Sequence, residues 1–299
     1  MSTNRTRIRE ALGGVIAVLI TPYAEGTVDV SALTGIARRL DDAGIHVLTA
    51  LGNTAEVFQL TAEERVAHLR AVAAGTDGSL LIAGVAGASA TVLANTDAAA
   101  ALGYDLTMVH EPADPFGDSA GFADYYLDIA DRSALPLVIY LRTERLDTLA
   151  LSDLSHHANI AGVKYARRSL DALTTLLADA NGDCVWINGA AEARAPEFLT
   201  LGLTGFTSGI ANARPDLALR VHEALVVGDD TRLARAVAPL SPVEDIRAEG
   251  NGRFNVAVLK EILRCSGIET GPVRAPHSEL TPSAKRALHA AIAAWPTHR

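Results

Sequence analysis

Hydrophobic positions along this chain alternate between two patterns. Short, nearly continuous apolar runs occur at 13–21 (GGVIAVLIT), 46–52 (HVLTALG), 80–87 (LLIAGVAG) and 106–112 (LTMVHEP). They continue at 135–142 (LPLVIYLR), 160–166 (IAGVKYA), 184–190 (CVWINGA) and 205–210 (GFTSGI). Runs of this length, with no polar face, predict strands buried on both sides. They recur about every 27 residues, near the least that a strand and its crossover helix need. The gaps carry the other pattern. Val30, Leu33, Ile36, Ala37 and Leu40 repeat at three and four residues and stop before Gly44. The next helix opens on Thr61 and Glu64, which have capping-box spacing, and continues through Val66, Leu69 and Val72. Eight such units over residues 1–226 predict an α/β chain, a (β/α)8 barrel. An open doubly wound sheet is the rival, but no GxGxxG fingerprint follows the first strand.

Residues 227–299 contain no ninth strand. LARAVAPL (233–240), the stretch 254–267 and the run from Thr281 to Trp295 read as helices, the last with Thr281-Pro282 as cap and first turn. With no linker before it, this C-terminal helical extension is expected to pack on the barrel.

Composition narrows the function. The 299 residues are 49% hydrophobic and 20% charged, with a net charge of −9. No Lys/Arg stripe is present, so nucleic acid is not an expected partner. The basic N-terminus is followed by the short apolar run VIAVLI, which ends in Thr-Pro. That is neither a signal peptide's apolar stretch nor a membrane span, so no membrane partner is expected. Cys184 and Cys265 spell no metal motif and point to a reducing, cytoplasmic setting. His110, Glu111 and Asp114 have a metal-like composition without metal-ligand spacing, and no metal is expected.

In such a barrel the chemistry lies at the carboxyl ends of the strands. Lys164 ends the sixth and Tyr140 the fifth. With a side-chain period of two, Ile160, Gly162 and Lys164 share one face, as do Val138 and Tyr140. A lysine in apolar surroundings loses charge and can attack a carbonyl carbon, and a neighbouring phenol can move protons. The plainer readings are a lysine that snorkels to solvent and a tyrosine that packs on the rim. After strand two, GNTAE (52–56) reads either as an anion-binding turn through Asn53 and Thr54 or as an ordinary cap.

The lysine in GVKYA, the tyrosine in VIYLR, the GNTAE loop and TPY after strand one resemble the dihydrodipicolinate synthase/N-acetylneuraminate lyase family in order and spacing. The likeness runs from Gly13 to about Trp295. GNTAEVFQLTAEE, FTSGIAN, EDIRAEGNGRFNVAVLKEIL and GPVRAP are most similar to its 5-dehydro-4-deoxyglucarate dehydratase branch. The resemblance implies that Lys164 forms an imine with a 2-oxo acid, that Tyr140 relays protons, and that Thr54 with adjacent amides holds the substrate carboxylate. It further implies substrate contacts at Asn53, Arg142, Gly189 and Ser208, no cofactor, and a homo-oligomer, dimer or tetramer. Arg142 stands in the dehydratase register and Arg145 in the synthase register; a solvated loop is the alternative for both. His110 and Glu111 are an additional acid/base pair, a substrate-hydroxyl contact or a rim packing feature; Glu192 either reaches a substrate hydroxyl or sits in the first turn of a helix.

The chain also departs from the pattern. Ala55 replaces a usual glycine, which predicts an altered loop. HEPADPF lacks the synthases' tyrosine pair, Leu141 stands where the dehydratases carry asparagine, and Tyr165 where they carry an acid. A pyruvate-dependent aldolase and a non-catalytic barrel that binds 2-oxo acids are the alternative functions.

Overall fold

Each of the eight apolar runs contains one strand. The computed structural model describes residues 2–179 and 183–297; the expected domain ends at Met1 and Arg299 lie outside the described residues. The strands are β1 (Val15–Val18), β2 (Val47–Ala50), β3 (Leu80–Val85), β4 (Leu106–Val109), β5 (Leu137–Leu141), β6 (Ile160–Tyr165), β7 (Val185–Asn188) and β8 (Phe206–Ser208). All pair in parallel with the next, and β8 pairs with β1, which closes a (β/α)8 barrel.

The outer helices are α2 (Val30–Asp42), α3 (Ala62–Ala74), α4 (Ser89–Ala101), α5 (Ser119–Arg132), α6 (Thr148–Ser155), α7 (Asp171–Asp179), α8 (Ala195–Leu199) and α9 (Pro215–Val227). Their starts follow the expected chemistry. Thr61 and Glu64 close a capping box on α3, and Asp29 caps α2 through Ala32 N. Along α2, Leu33, Ile36, Ala37 and Leu40 are buried, whereas Val30 in the first turn is 46% exposed.

Side chains alternate across the barrel wall. Ile16, Val47, Leu80, Ile82, Met108 and Val138 fill the interior, and their neighbours pack outward against the helices. The floor is sealed by an unexpected element, α1 (Ser2–Leu12), whose Ile8 and Leu12 join the interior cluster. One facing expectation is corrected. Leu137 pairs with Ile160 but Val138 pairs with Gly162, so Ala161 is an extra residue on β6. The bulge turns Ile160 outward and leaves Gly162 and Lys164 facing in.

Beyond α9 lie α10 (Asp230–Val237), α11 (Ser241–Gly252), α12 (Asn255–Cys265) and α13 (Pro282–Ala293). The expected boundary at 226/227 falls in the last turn of α9. Helix α11 was not expected from the sequence, although it opens on Ser241-Pro242; its helical geometry breaks near its end at Glu249–Asn251, where Gly250 and Asn251 take φ of 57° and 62°. Val258, Leu259 and Ile262 of α12 and Leu288 of α13 share one core with β1–β3 and α9. Among the described residues no helix is long and apolar enough to cross a membrane.

Candidate active site

Lys164 leaves the end of β6 with its side chain inside the barrel mouth. Tyr140 of β5 is its register partner, and Lys164 Nζ lies 4.1 Å from the centre of the Tyr140 ring. Gly189, just past β7, clears the space: a Cβ there would stand 2.9 Å from Ala166 Cβ and 3.0 Å from Lys164 Cγ. Lys164 is 5% exposed. Burial, then the Arg142 and Arg247 cations, push its pKa down to about 7. The ring face of Tyr140 favours the ammonium and opposes that shift. Among the described residues no carboxylate pairs with Nζ, so burial prevails and a large fraction of the amine is free at neutral pH.

Tyr140 is equally enclosed. Asn53 Nδ2 donates to its hydroxyl at 3.4 Å, and burial raises its pKa. His110 stands edge-on, ring centres 5.7 Å apart, with Nε2 3.0 Å from Leu51 O. Burial lowers His110 to a pKa of about 4, so it is a neutral wall group at pH 7.

The GNTAE segment folds as a single 3-10 turn, Asn53–Ala55. Thr54 Oγ1 donates to Val18 O at 3.1 Å, which fixes the hydroxyl at the edge of the cavity. The expected disturbance at Ala55 does not arise. Ala55 keeps a negative φ, and the left-handed residue is Glu56, at φ 57°. The Glu56 carboxylate is buried 2.7 Å from Lys260 Nζ and accepts from Arg274 N at 2.6 Å. GNTAE, NVAVLKEIL and GPVRAP, distant in sequence, thus meet in one ion network behind the site.

A cavity of about 590 Å³ opens over these groups. Lys164, Tyr140, Thr54, Asn53, Arg142 and Gly189 all line it. Ser208 does not, and this expectation is corrected. On the three-residue β8 it is Thr207, paired with inward-facing Ile16, that faces the cavity. Ser208 points outward, fully buried, and hydrogen-bonds Glu192 Oε1. Glu192 is likewise buried behind the wall, and burial followed by Glu244 raises its pKa to about 7.

The two candidate arginines separate. Arg142 lines both the cavity and an adjoining groove that shares Asn53 and Tyr140 with it, while Arg145 lines only the groove and reaches Asp114 O and the Phe122 ring. The loop between them is braced rather than loose. Glu111 accepts from Arg142 N at 3.2 Å and Thr143 N at 3.1 Å. From the other side, buried Arg167 donates to Thr143 O and Leu146 O. Tyr165 lies on the outer face of β6, where its hydroxyl donates to Ser169 O.

Sequence reasoning missed the far wall. Glu244, Arg247 and Asn255 of the extension complete the cavity. Arg247 shares the buried face of α11 with Val243, one turn away. A charge on an apolar helical face was the available signal.

The dihydrodipicolinate synthetase family model matches residues 11–295. A 4-hydroxy-tetrahydrodipicolinate synthase of Corynebacterium urealyticum is 32% identical, with 95% of each chain covered. A probable 5-dehydro-4-deoxyglucarate dehydratase of Streptomyces griseus is 27% identical over 92% of this chain and 89% of its own. The crystal structure of dihydrodipicolinate synthase from Bacillus clausii superposes with a TM-score of 0.93 at 31% identity, covering 96% of this chain and 99% of that one.

Proposed function

The chain belongs to the dihydrodipicolinate synthetase family, and on that premise we propose that it is a Schiff-base lyase whose substrate is a sugar-derived 2-oxo acid. The observation that carries this reading is Lys164: a buried amine with a pKa near 7, over the face of Tyr140, at the floor of an open cavity.

The neutral Lys164 amine attacks C2 of the 2-oxo acid. Tyr140 passes a proton to the carbinol oxygen, which leaves as water, and the iminium forms. Thr54 and the amides that open its turn hold the C1 carboxylate, Asn53 positions the Tyr140 hydroxyl, and Arg142 draws the anion in from the rim. Gly189 leaves the lysine room to swing. The iminium then accepts the electron pair released by loss of a C3 proton.

The specific reaction we favour is that of a 5-dehydro-4-deoxyglucarate dehydratase. The enamine expels the C4 hydroxyl as water. Loss of the C5 proton moves the new double bond to C4–C5 as an enol, which tautomerises to the C5 ketone. The carboxylate beside the imine leaves as CO2, with a proton taking its place on C2. Hydrolysis then releases 2,5-dioxopentanoate, so that one water and one CO2 balance the substrate. Cleavage of the C3–C4 bond by the same imine, with release of pyruvate, is the second reading, which the synthase relatives favour. A homo-oligomer in the cytoplasm completes the proposal.

The test is borohydride trapping followed by intact mass. The protein is incubated with pyruvate or with a 4-deoxy-5-oxo-aldarate, and Lys164→Ala serves as control. A reduced adduct absent from the control supports the imine; CO2 release supports the dehydratase and pyruvate release the aldolase. A folded protein that traps no 2-oxo acid leaves only a binding barrel.

A further inference from the structure

The imine chemistry accounts for one end of the cavity, and the other end is built from the extension. We propose that Arg247 is the specificity-determining residue of this site, and that it selects a 2-oxo acid carrying a second carboxylate at the far end of its chain. The proposal rests on the imine reading above and deepens it.

The geometry of Arg247 is that of a fixed guanidinium. Its Nη1 donates to Glu244 Oε1 at 2.6 Å and its Nη2 to Asn255 Oδ1 at 3.2 Å. The side chain is 6% exposed, and its Nε is buried with no partner among the described residues. The barrel makes room for it. A Cβ on Gly209 would come within 2.6 Å of Arg247 Nη2, so the loop after β8 admits this side chain only because residue 209 has none. The field of Arg247 reaches the amine, which it helps to keep uncharged.

Charge and its orientation decide what such a wall accepts. Lys164, Arg142, Arg247 and Arg253 line the cavity against the single carboxylate of Glu244 among its described lining residues. Arg253 is paired with Glu249 and Arg247 with Glu244, so what the extension offers beyond the imine and Thr54 is not free charge but a buried guanidinium held in one orientation on the cavity wall. A planar guanidinium already held on two NH groups loses little entropy on binding a carboxylate, which makes it the better clamp. Arg145 is committed to Asp114 O, and Arg142 sits on the exposed rim. Selectivity therefore comes from a segment outside the barrel, separate from the groups that perform the chemistry.

The experiment measures borohydride trapping at a series of concentrations for matched pairs of probes. 2-Oxoglutarate, 2-oxoadipate and 2-oxopimelate are each compared with the monoacid of equal carbon number, which ends in a methyl group. The expected result is a half-saturating concentration about tenfold lower for the best diacid than for its monoacid partner. Arg247→Gln collapses that ratio to within about threefold, and Arg247→Lys, which keeps the charge but loses the fork, gives an intermediate ratio. Arg235→Gln, on the outer surface, serves as control, and thermal melting confirms that each variant is folded. Equal trapping of both members of every pair by the unaltered protein overturns the proposal, as does a preference that survives Arg247→Gln or is lost instead in Arg142→Gln. Failure to trap any 2-oxo acid is a different result: it removes the imine itself.

Discussion

Two buried lysines at the same end of the barrel have opposite fates. Lys164 and Lys260 are 5% and 0% exposed, and each holds its Nζ 4.1 Å from the centre of a tyrosine ring, Tyr140 and Tyr23 respectively. What differs is the company. Lys260 has the Glu56 carboxylate at 2.7 Å and the carbonyl of Pro272 at 2.9 Å. Burial lowers its pKa, and Glu56 works in the other direction. Lys164 has Arg142 and Arg247, whose charges add to the effect of burial. Burial and an aromatic face are therefore not enough to free a lysine of its proton; the sign of the neighbouring charge decides. One lysine is locked in an ion pair with Glu56, and the other is the nucleophile we propose.

The two lysines separate most widely when each amine is removed in turn. Lys164→Met abolishes trapping and turnover, a loss of at least ~10³-fold. The same change removes a buried ionisable group without orphaning a counter-ion, so we expect it to raise stability at pH 7 by about 1–4 kcal/mol. Lys260→Met does the reverse. It strands the Glu56 carboxylate and should cost about 3–5 kcal/mol in denaturant unfolding, while the protein that remains folded still traps pyruvate. A Lys260→Met protein as stable as the parent would mean that Glu56 finds another partner and that the contrast between the lysines is false. Tyr140→Phe comes next: it keeps the ring under Lys164 Nζ but removes the proton relay. Turnover is expected to fall about a hundredfold with folding unchanged. A loss below about threefold would reduce Tyr140 to the packing role that Tyr23 has beside Lys260.

The lysine in the barrel mouth was legible from the chain and the ion-paired one was not. Lys164 and Tyr140 announce themselves locally, by a strand's period of two and by the rule that barrel chemistry lies at strand ends. Lys260 lies in a helical run like any other, and its meaning depends on Glu56, which the fold brings to it from the far end of the chain. Arg247 escaped for the same reason. Nothing in its own helix announces that α11 roofs the barrel mouth or that Gly209 opposite it is bare. The local rules also have limits where they were used. One bulge residue, Ala161, turned Ile160 to the other face, and on the short β8 the inward position fell to Thr207 rather than Ser208. The loop at Ala55 was read through a backbone demand that the structure places on Glu56 instead. Barrel, strand order and the place of Lys164 and Tyr140 in its mouth were thus readable, whereas the wall contributed by the extension needed tertiary structure.

The smallest expected effect is the most direct measure of the difference between the lysines. If Lys164 reacts as the free amine with a pKa of about 7, the rate of trapping at low, fixed 2-oxo acid rises through neutrality and levels off above pH 8. Below pH 6 it falls about tenfold per unit, because each unit removes nine-tenths of the remaining free amine. Stability must follow the same group with its own sign. The folded pKa lies below the ordinary lysine value of 10.5, so between about pH 7 and 10.5 the unfolded chain binds more protons than the folded one. Over that window Lys164 makes stability rise with pH; below it, the folded state carries the full cost of burying the amine. Subtracting the unfolding free energies of Lys164→Met from those of the parent, pH by pH, isolates this contribution. A difference that stays flat from pH 6 to 10 would place the pKa of Lys164 near that of an ordinary lysine. It would then be held as an ammonium by the Tyr140 ring, and Lys164 would be, like Lys260, only a cation in a well-made pocket.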